Sequence, residues 1–512
     1  MDIQLKNQVS LFSAIAIGVG SIVGSGWLFA SYYAAQYAGP IVIASWVIGA
    51  VLALLLALLL AEVATMYQET ALFSRLLTIT HNKDCGFLIA ISNWFCMVAI
   101  APSEATATTQ YLGHLFPKIS EMLFQNDILT ITGAFVVCGI IMIYAVLNFW
   151  GIKTLARANN SLTTVKMVVP ALIGIIFMFA AFHPENFHSY KHTVAPYGFG
   201  RIFSSIVDCG IFYAFYGFSM VTVFAKELKN PKRNLPLALI GSVLICLVIY
   251  LILQVSFIGA VDPKSIAVNG WHTIHFDSPL ANLAVLLGMN WVAIILYADA
   301  AISPSGSGML YLGSGTRMLN GMAEDKQMPK IFGRINQEFF ISRTSLIFTV
   351  ILSCSLITFF NNWQKIMIVV TVFQLISCVA IPIAFTKLRI SEPLKERKFR
   401  LLGGNFISIF AYVVITYLLT QAGVLAMSLA IAVHFIFFII YCIVYYGRNF
   451  NRIFKAFLSS WTLFAYMFVI TIFTYLQDHL LMKNIFLLVF LVVTIMFYFL
   501  ILRQRNYNSE KE

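Results

Sequence analysis

Long uninterrupted runs of apolar residues recur along the whole 512-residue chain. A helix needs about 20 mostly apolar residues to cross the hydrocarbon core of a bilayer, and many of these runs reach that length. They are continuous rather than alternating with period two, which favours membrane helices over membrane β-strands. Hydrophobic residues make up 60% of the chain and charged residues only 11%, outside the usual range of soluble domains. The sequence therefore predicts an all-α integral membrane protein.

Runs of about 18 or more mostly apolar residues predict about fourteen membrane spans. The predicted spans are 11–35, 39–66, 86–112, 128–150, 160–182, 202–226, 235–260, 279–318, 344–361, 365–388, 405–423, 424–447, 457–476 and 484–503.

The basic residues predict the orientation of these spans. If the N-terminus is cytoplasmic, 26 of the 33 Lys and Arg residues face the cytoplasm, 6 face outside, and Lys166 lies within a span. Cytoplasmic loops of membrane proteins carry such an excess, so both termini are predicted to be cytoplasmic. The excess of basic residues behind the net charge of +12 is thus explained by membrane topology. It does not indicate a nucleic-acid partner.

Sequence motifs for metal binding or catalysis are absent. The eight cysteines lie in or beside apolar runs without a CxxC pair, and no HExxH or GxxxxGK[ST] motif occurs. We therefore predict no metal site, no cofactor, no catalytic residue and no enzymatic activity.

The first span contains four glycines within residues 18–26, and each costs a helix about 1 kcal/mol relative to alanine. One interpretation is close helix packing, because small residues four apart, such as Gly20 and Gly24, are common at membrane helix interfaces. The other is an unwound stretch, which is tolerated where the backbone lines a cavity or is buried in protein.

The sixth span has a second weak point at residues 212–218, which include Gly217. It lies five spans after the first and therefore runs in the opposite direction through the membrane. Broken helices at corresponding positions of two inverted halves indicate a transporter binding site. A helix N-terminus attracts an anion and exposed carbonyls attract a cation, so amino acids are the expected substrate class.

Four linked segments resemble the amino acid–polyamine–organocation superfamily of transporters. These are GVGSIVGSGW followed by AGP, AEVATMY, GIFYAFYGF with KELKNPKRNLPLA, and SGTRMLNGMAEDKQMPKIFGRIN. The match runs in order through about residues 10–390. Within the superfamily, GSGWLF, FHPENF, APYG, GWHTIHFDSP and LYADAAISPSG are most similar to the branch of bacterial aspartate–proton symporters.

The resemblance implies a LeuT-like fold of two inverted five-helix repeats. Residues 1–390 would form this transport core, and residues 391–512 peripheral helices with a short cytoplasmic tail. The implied function is proton-coupled symport of amino acids, including acidic ones such as aspartate, across the bacterial cytoplasmic membrane. An exchanger of neutral, acidic or other amino acids is the alternative. The expected partners are the amino acid, protons and the lipid bilayer, while the sequence leaves the oligomeric state open.

The resemblance also assigns backbone groups at the two breaks to the substrate. The substrate carboxylate would meet the amides of Gly24, Ser25 and Gly26. The ammonium would meet the carbonyls of Ile22, Tyr213, Ala214 and Tyr216. Phe215 is predicted either as an aromatic lid over the site or as ordinary helix packing.

An ionisable residue within a membrane helix costs free energy when the helix inserts into the bilayer, so its presence indicates a functional role. The predicted spans contain Glu62, Glu104, Lys166, Asp208 and Asp299. Glu62 lies near an inner helix end, where solvation or a structural role is expected, and Asp208 lies near an outer end. Glu104, whose partner the sequence does not show, and Asp299, which can face the substrate or take up a proton, are possible members of the transport pathway.

Lys166 is the predicted proton-coupling residue. Desolvation disfavours its charged form, so a lysine that is neutral in one conformation and charged in another can couple a proton to transport. Lys166 also matches a fifth-helix lysine of the proton-coupled members that this chain resembles. Ser303, Ser305 and Ser307 are the candidate oxygen partners, and the alternative is a side chain that reaches the inner membrane face.

Overall fold

A computed structural model describes residues 9–67, 72–125, 128–149, 152–188, 190–224, 228–336, 341–479 and 483–504. The regular structure in these ranges is helical, apart from the two-residue antiparallel strands β1 (Phe124–Gln125) and β2 (Ile128–Leu129). The α-helices of the first half are α1 Leu11–Ile22, α2 Gly26–Ala38, α3 Val42–Met66, α4 Leu72–Thr80, α5 Lys83–His114, α6 Pro117–Leu123, α7 Ile131–Phe149, α8 Ile152–Ala180, α9 Arg201–Asp208, α10 Ile211–Ala214 and α11 Pro231–Ala260.

The remaining α-helices are α12 Pro263–Ala267, α13 Pro279–Leu286, α14 Asn290–Glu324, α15 Arg343–Phe359, α16 Trp363–Cys378, α17 Ala380–Ser391, α18 Gly404–Thr420, α19 Val424–Tyr446, α20 Phe450–His479 and α21 Lys483–Arg503. Short 3₁₀ helices occupy Gly39–Ile41, Pro184–Phe187, Phe218–Phe224, Trp271–Thr273 and Lys330–Gly333.

Every predicted span falls on one or more of these helices. Among the described residues, nine helices are long and apolar enough to cross a membrane, or ten if the bent pair around residue 210 is one span. That count takes Gly26–Met66 as one segment, and α1, α15 and α18 are shorter than a full span. The protein is thus an all-helical, multi-pass membrane protein, while the number fourteen and the orientation of the termini stay predictions.

The first predicted span is two helices rather than one. Helix α1 ends at Ile22 and α2 begins at Gly26, with an extended residue, Val23, between them. Gly24 and Ser25 complete the interruption, because neither residue favours a helix interior. Backbone groups that a continuous helix would pair are therefore open to other partners at this level of the membrane.

The sixth predicted span is interrupted twice. Helix α9 and the segment Ile211–Thr222, which begins with α10, meet at a 56° bend, where Gly210 adopts a left-handed conformation with φ of 77°. After α10 the chain turns at Gly217, with φ of 111°, and continues as a 3₁₀ helix. The sequence indicated the second interruption but missed the bend at Gly210.

Helix α5 is the centre of the bundle. It packs along α14 and α16, and nearly all of its side chains are buried. Helices α18–α21 pack outside this centre, and the hydroxyl of Tyr441 on α19 donates to Asp84 at the start of α5 over 2.8 Å. One hydrophobic cluster includes residues of both parts, and the division into 1–390 and 391–512 stays a prediction.

Glu62 is buried rather than solvated. Its carboxylate receives hydrogen bonds from Arg389 at 2.6 and 2.9 Å and from the backbone amide of Leu401 at 2.7 Å, and it forms an ion pair with Arg397 at 3.2 Å. These contacts fasten the C-terminal end of α3 to the segment that follows α17. The structural role of Glu62 follows from this pairing, because a buried charge is stable only when it is paired and hydrogen-bonded.

Candidate substrate and proton site

The two helix interruptions meet at one buried cavity. The cavity has a volume of about 10 Å³, room for about one water molecule. It is lined by Ser21, Ile22, Gly24, Ile100, Glu104, Tyr213, Tyr216, Ser307 and Tyr311. In this conformation the cavity therefore has no room for a molecule larger than water.

Glu104 on α5 reaches the backbone of the first interruption. Its Oε2 accepts a hydrogen bond from the amide of Ser25 over 2.7 Å, and its Oε1 accepts one from the hydroxyl of Tyr213 over 2.8 Å. Glu104 is 2% exposed and thus shielded from water. The amide of Ser25 is one of the three that the resemblance assigned to the substrate carboxylate. In this conformation the carboxylate of Glu104 occupies it.

The side chain of Ser25 is also held. Its Oγ accepts a hydrogen bond from Nε1 of Trp363 on α16 over 2.9 Å and lies 3.5 Å from the hydroxyl of Tyr213. At Gly24, an added Cβ would overlap the carboxylate of Glu104. The absence of a side chain at Gly24 is therefore what lets Glu104 approach the interruption.

Lys166 on α8 binds the N-terminal side of the same interruption. Its Nζ donates to the carbonyl of Gly20 over 3.2 Å and to the Oγ of Ser307 over 2.7 Å. Ser307 in turn donates to the carbonyl of Val23 over 3.2 Å. Of the three candidate serines, Ser307 is the partner of Lys166, whereas Ser305 accepts a hydrogen bond from Tyr144. Lys166 is fully buried, so the alternative of a side chain that reaches the inner face does not hold.

Four of the residues assigned to the substrate line the cavity: Ile22, Gly24, Tyr213 and Tyr216. The other four do not reach it, since Ser25 is covered by Glu104 and Gly26 packs against Ala214.

The carbonyl of Ala214 accepts a hydrogen bond from the hydroxyl of Tyr250 over 2.9 Å. This carbonyl was assigned to the substrate ammonium, so Tyr250 occupies it in this conformation. Phe215 packs between Trp46 and Tyr250, with ring centroids at 5.9 and 5.5 Å, and so occupies a packing position in this conformation. Its role as an aromatic lid stays a prediction.

Ser21, Ile100 and Tyr311 line the cavity but were not assigned a role from the sequence. The hydroxyl of Tyr311 donates to the carbonyl of Ser21 over 3.0 Å. A tyrosine within an apolar helix gives no periodic signal that separates such a role from packing. The packing of α5, α10 and α14 thus brings these residues together at the cavity, and the sequence alone did not indicate that they would meet.

The other two charged candidates lie outside the cavity lining. Asp208 ends α9 and accepts a hydrogen bond from Tyr37 over 2.9 Å. Asp299 on α14 is 3% exposed, and neither carboxylate oxygen has a hydrogen-bond partner among the described residues.

Gly217 lies close to the backbone at the end of α1. A Cβ at this position would lie 2.5 Å from the carbonyl oxygen of Ser21, and φ of 111° strains any L side chain. We therefore expect Gly217→Ala to lower the thermal stability of the purified protein, by about 1–3 kcal/mol from the backbone conformation alone.

The matched control is Gly139→Ala on α7, where a Cβ would meet nothing within 4 Å. Alanine at such a helix position is expected to leave the melting temperature unchanged or slightly higher. Equal melting temperatures for the two variants would contradict the close approach at Gly217.

Two interrupted helices that converge on a buried cavity within a bundle of apolar helices define the class of secondary transporters. The family is shown by comparison, because the amino acid permease family model matches residues 9–444. The chain belongs to this amino acid permease family, and it is an amino acid transporter of the membrane rather than an enzyme.

Two relatives from Bacillus subtilis (strain 168) match nearly the whole chain. The glutamate/serine transporter AimA is 35% identical over 482 residues, which cover 92% of this chain and 88% of the relative. The aspartate-proton symporter is 30% identical over 475 residues, which cover 92% and 90% respectively.

A solved structure shares the fold. The manganese transporter mutant of Eremococcus coleocola superposes with a TM-score of 0.54 at 12% identity, over 92% of this chain and 98% of that chain. At this identity the likeness concerns the fold alone, which is the LeuT-like fold that the sequence predicted.

Proposed function

We propose that this protein is a proton-coupled symporter that carries amino acids, with acidic amino acids among its substrates, across the bacterial cytoplasmic membrane. The names of the two Bacillus relatives support this choice, because both include an acidic amino acid and one includes the proton. The observation that carries the proposal is the carboxylate of Glu104 on the amide of Ser25, at the meeting point of two broken helices.

The Glu104 contact supports recognition of a substrate carboxylate by backbone amides. The start of α2 carries unpaired N–H groups and the positive end of a helix dipole, and both favour an anion. A substrate carboxylate would take over the amide of Ser25, with those of Gly24 and Gly26 beside it. Glu104 would have to leave this amide first, so the internal carboxylate and the substrate compete for one donor.

The ammonium of the substrate would lie on the side of the cavity lined by Ile22, Tyr213 and Tyr216. Ile22 is the last residue of α1 and Tyr216 follows α10, so their carbonyl groups lie at helix ends, which is the kind of acceptor that suits a cation. The carbonyl of Tyr213 accepts a hydrogen bond from the amide of Tyr216 over 2.9 Å and would have to be released first. Ala214 would join them after its carbonyl is released by Tyr250.

Lys166 would couple the proton to the movement of α1. In its charged form it holds the carbonyl of Gly20 directly and that of Val23 through Ser307, on either side of the end of α1. Loss of the proton weakens both contacts, because hydrogen bonds from a charged donor are about twice as strong as neutral ones. Release of the proton would then free the inner half of the interruption to move.

The test is uptake of labelled amino acid into proteoliposomes that contain only this protein. A symporter takes up substrate into empty vesicles when the outside is made more acidic. Uptake that requires amino acid loaded inside the vesicles, without a response to the pH gradient, would reject symport in favour of exchange.

The substrate class is tested by competition of unlabelled amino acids against the labelled one. We expect aspartate or glutamate to compete. If neutral amino acids compete while both acidic ones fail, the acidic part of the proposal is wrong and the transport mechanism is unaffected.

A further inference from the structure

Asp299 is a buried carboxylate to which no other described residue donates a hydrogen bond. It is 3% exposed, and among the described residues neither of its oxygens accepts a hydrogen bond. A carboxylate kept from water in this way is costly as an anion and is stabilised when it carries a proton. Such a residue within a membrane helix points to a proton relay or a ligand.

A second buried polar group lies one turn further along α14. Ser303 is fully buried, and its Oγ has no hydrogen-bond partner among the described residues. One more turn along the helix is Ser307, which accepts the hydrogen bond from Lys166. The spacing of four residues places Asp299, Ser303 and Ser307 on one side of α14, and the row is about 12 Å long.

A hydrogen bond to α5 holds α14 in place beside Asp299 and Ser303. Pro304 lacks the N–H that would bond the carbonyl of Ala300, and Thr108 on α5 donates to that carbonyl over 3.0 Å instead. The helix is thus fastened between Asp299 and Ser303, and the unpartnered groups are not the result of a loosely packed segment.

Charged side chains on the neighbouring helices interact electrostatically with both ends of this row of three residues. Lys166 on α8 is the charged group that acts electrostatically on Asp299, and Glu104 on α5 and Asp299 both act on Lys166. Tyr144 on α7 donates to Ser305, which faces away from the row. With the predicted orientation, Asp299 lies on the outer side and Lys166 on the inner side.

We infer that Asp299 is the outer proton carrier of this transporter and passes its proton through Ser303 to Lys166. The inference rests on the proposed proton coupling and adds the route by which the proton reaches Lys166. In a conformation that brings Ser303 within hydrogen-bond distance of both Asp299 and Lys166, which is not the conformation described here, the O–H bond of the Asp299 carboxyl breaks, and the Ser303 hydroxyl takes up one proton while it gives up another. An N–H bond forms on the neutral amine of Lys166, so a carboxylate and an ammonium result.

The test uses Asp299→Asn and Ser303→Ala in the full-length protein, reconstituted in proteoliposomes. Because proton transfer by a positioned group typically accounts for large rate factors, uptake driven by a pH gradient is expected to fall about tenfold or more in Asp299→Asn. Exchange of labelled for unlabelled amino acid without a gradient is expected to persist. Ser303→Ala should lower the driven rate, whereas Ser305→Ala on the same helix should not.

Driven uptake that is intact in Asp299→Asn overturns the inference, as does a changed order in the competition panel, which would place Asp299 on the substrate. If Asp299→Asn does not fold, as judged by its elution on size exclusion, the paired serine variants decide, and equal rates for the pair overturn the inference. A wild-type protein that does not respond to the pH gradient would instead reject the proposed symport itself.

Discussion

Replacing Lys166 by methionine is expected to abolish uptake driven by a proton gradient and to leave exchange of amino acids in place. Methionine fills similar space but carries no proton, so the carbonyl of Gly20 and the hydroxyl of Ser307 lose their shared donor. Driven uptake into empty proteoliposomes, compared with exchange in preloaded ones, measures the two activities separately. Unpaired buried groups also cost about 1–3 kcal/mol, so the variant should melt at a lower temperature.

The control for Lys166 is the same substitution at Lys264, an exposed residue on α12. Both activities are expected to match the wild type in Lys264→Met. A Lys166→Met variant whose uptake still responds to the gradient would remove Lys166 from the coupling mechanism.

Glu104→Gln is expected to weaken the pH dependence of amino acid binding. In the wild type, the charged carboxylate competes with the substrate for the amide of Ser25, and protonation weakens that competition. Acidic pH should therefore favour binding, and glutamine should mimic the protonated form at every pH. Loss of a charge-assisted hydrogen bond of about 1.5–3 kcal/mol predicts binding at neutral pH that is about tenfold tighter or more.

The measurement for Glu104 is the dissociation constant of the substrate at acidic and neutral pH, for the wild type and the variant. Glu185→Gln is the matched control, because Glu185 lies in the exposed segment after α8 and contacts His183. If Glu104→Gln retains the pH dependence of the wild type, Glu104 does not compete with the substrate.

Several features of the site were predictable because they depend on local composition. The glycines at residues 18–26 and the weak point at 212–218 indicated both interruptions, and the structure places breaks in both ranges. Lys166 stood out because a charge within an apolar run is rare in any membrane helix. The bend at Gly210 was missed, since a single glycine beside an apolar run is a weak signal.

The partners of the charged residues were not predictable. Glu104 and Ser25 are 79 residues apart in the chain, and Lys166 and Gly20 are 146 apart. No spacing rule joins such positions, so the sequence left Glu104 without a partner. The same limit applies to Phe215, for which the sequence offered a lid or packing and the structure shows packing against Trp46 and Tyr250.

The sequence by itself determined that this protein is a helical membrane protein and indicated where two of its helices could be interrupted, because apolar length, glycine and charge act within single segments. Only the tertiary structure decided what these segments do to one another: Glu104 covers the amide of Ser25, Ser307 holds Lys166, and Asp299 has no donor within the described residues. The physical reason is that hydrogen bonds between helices depend on rotation and packing to within about an ångström, which local sequence patterns do not specify.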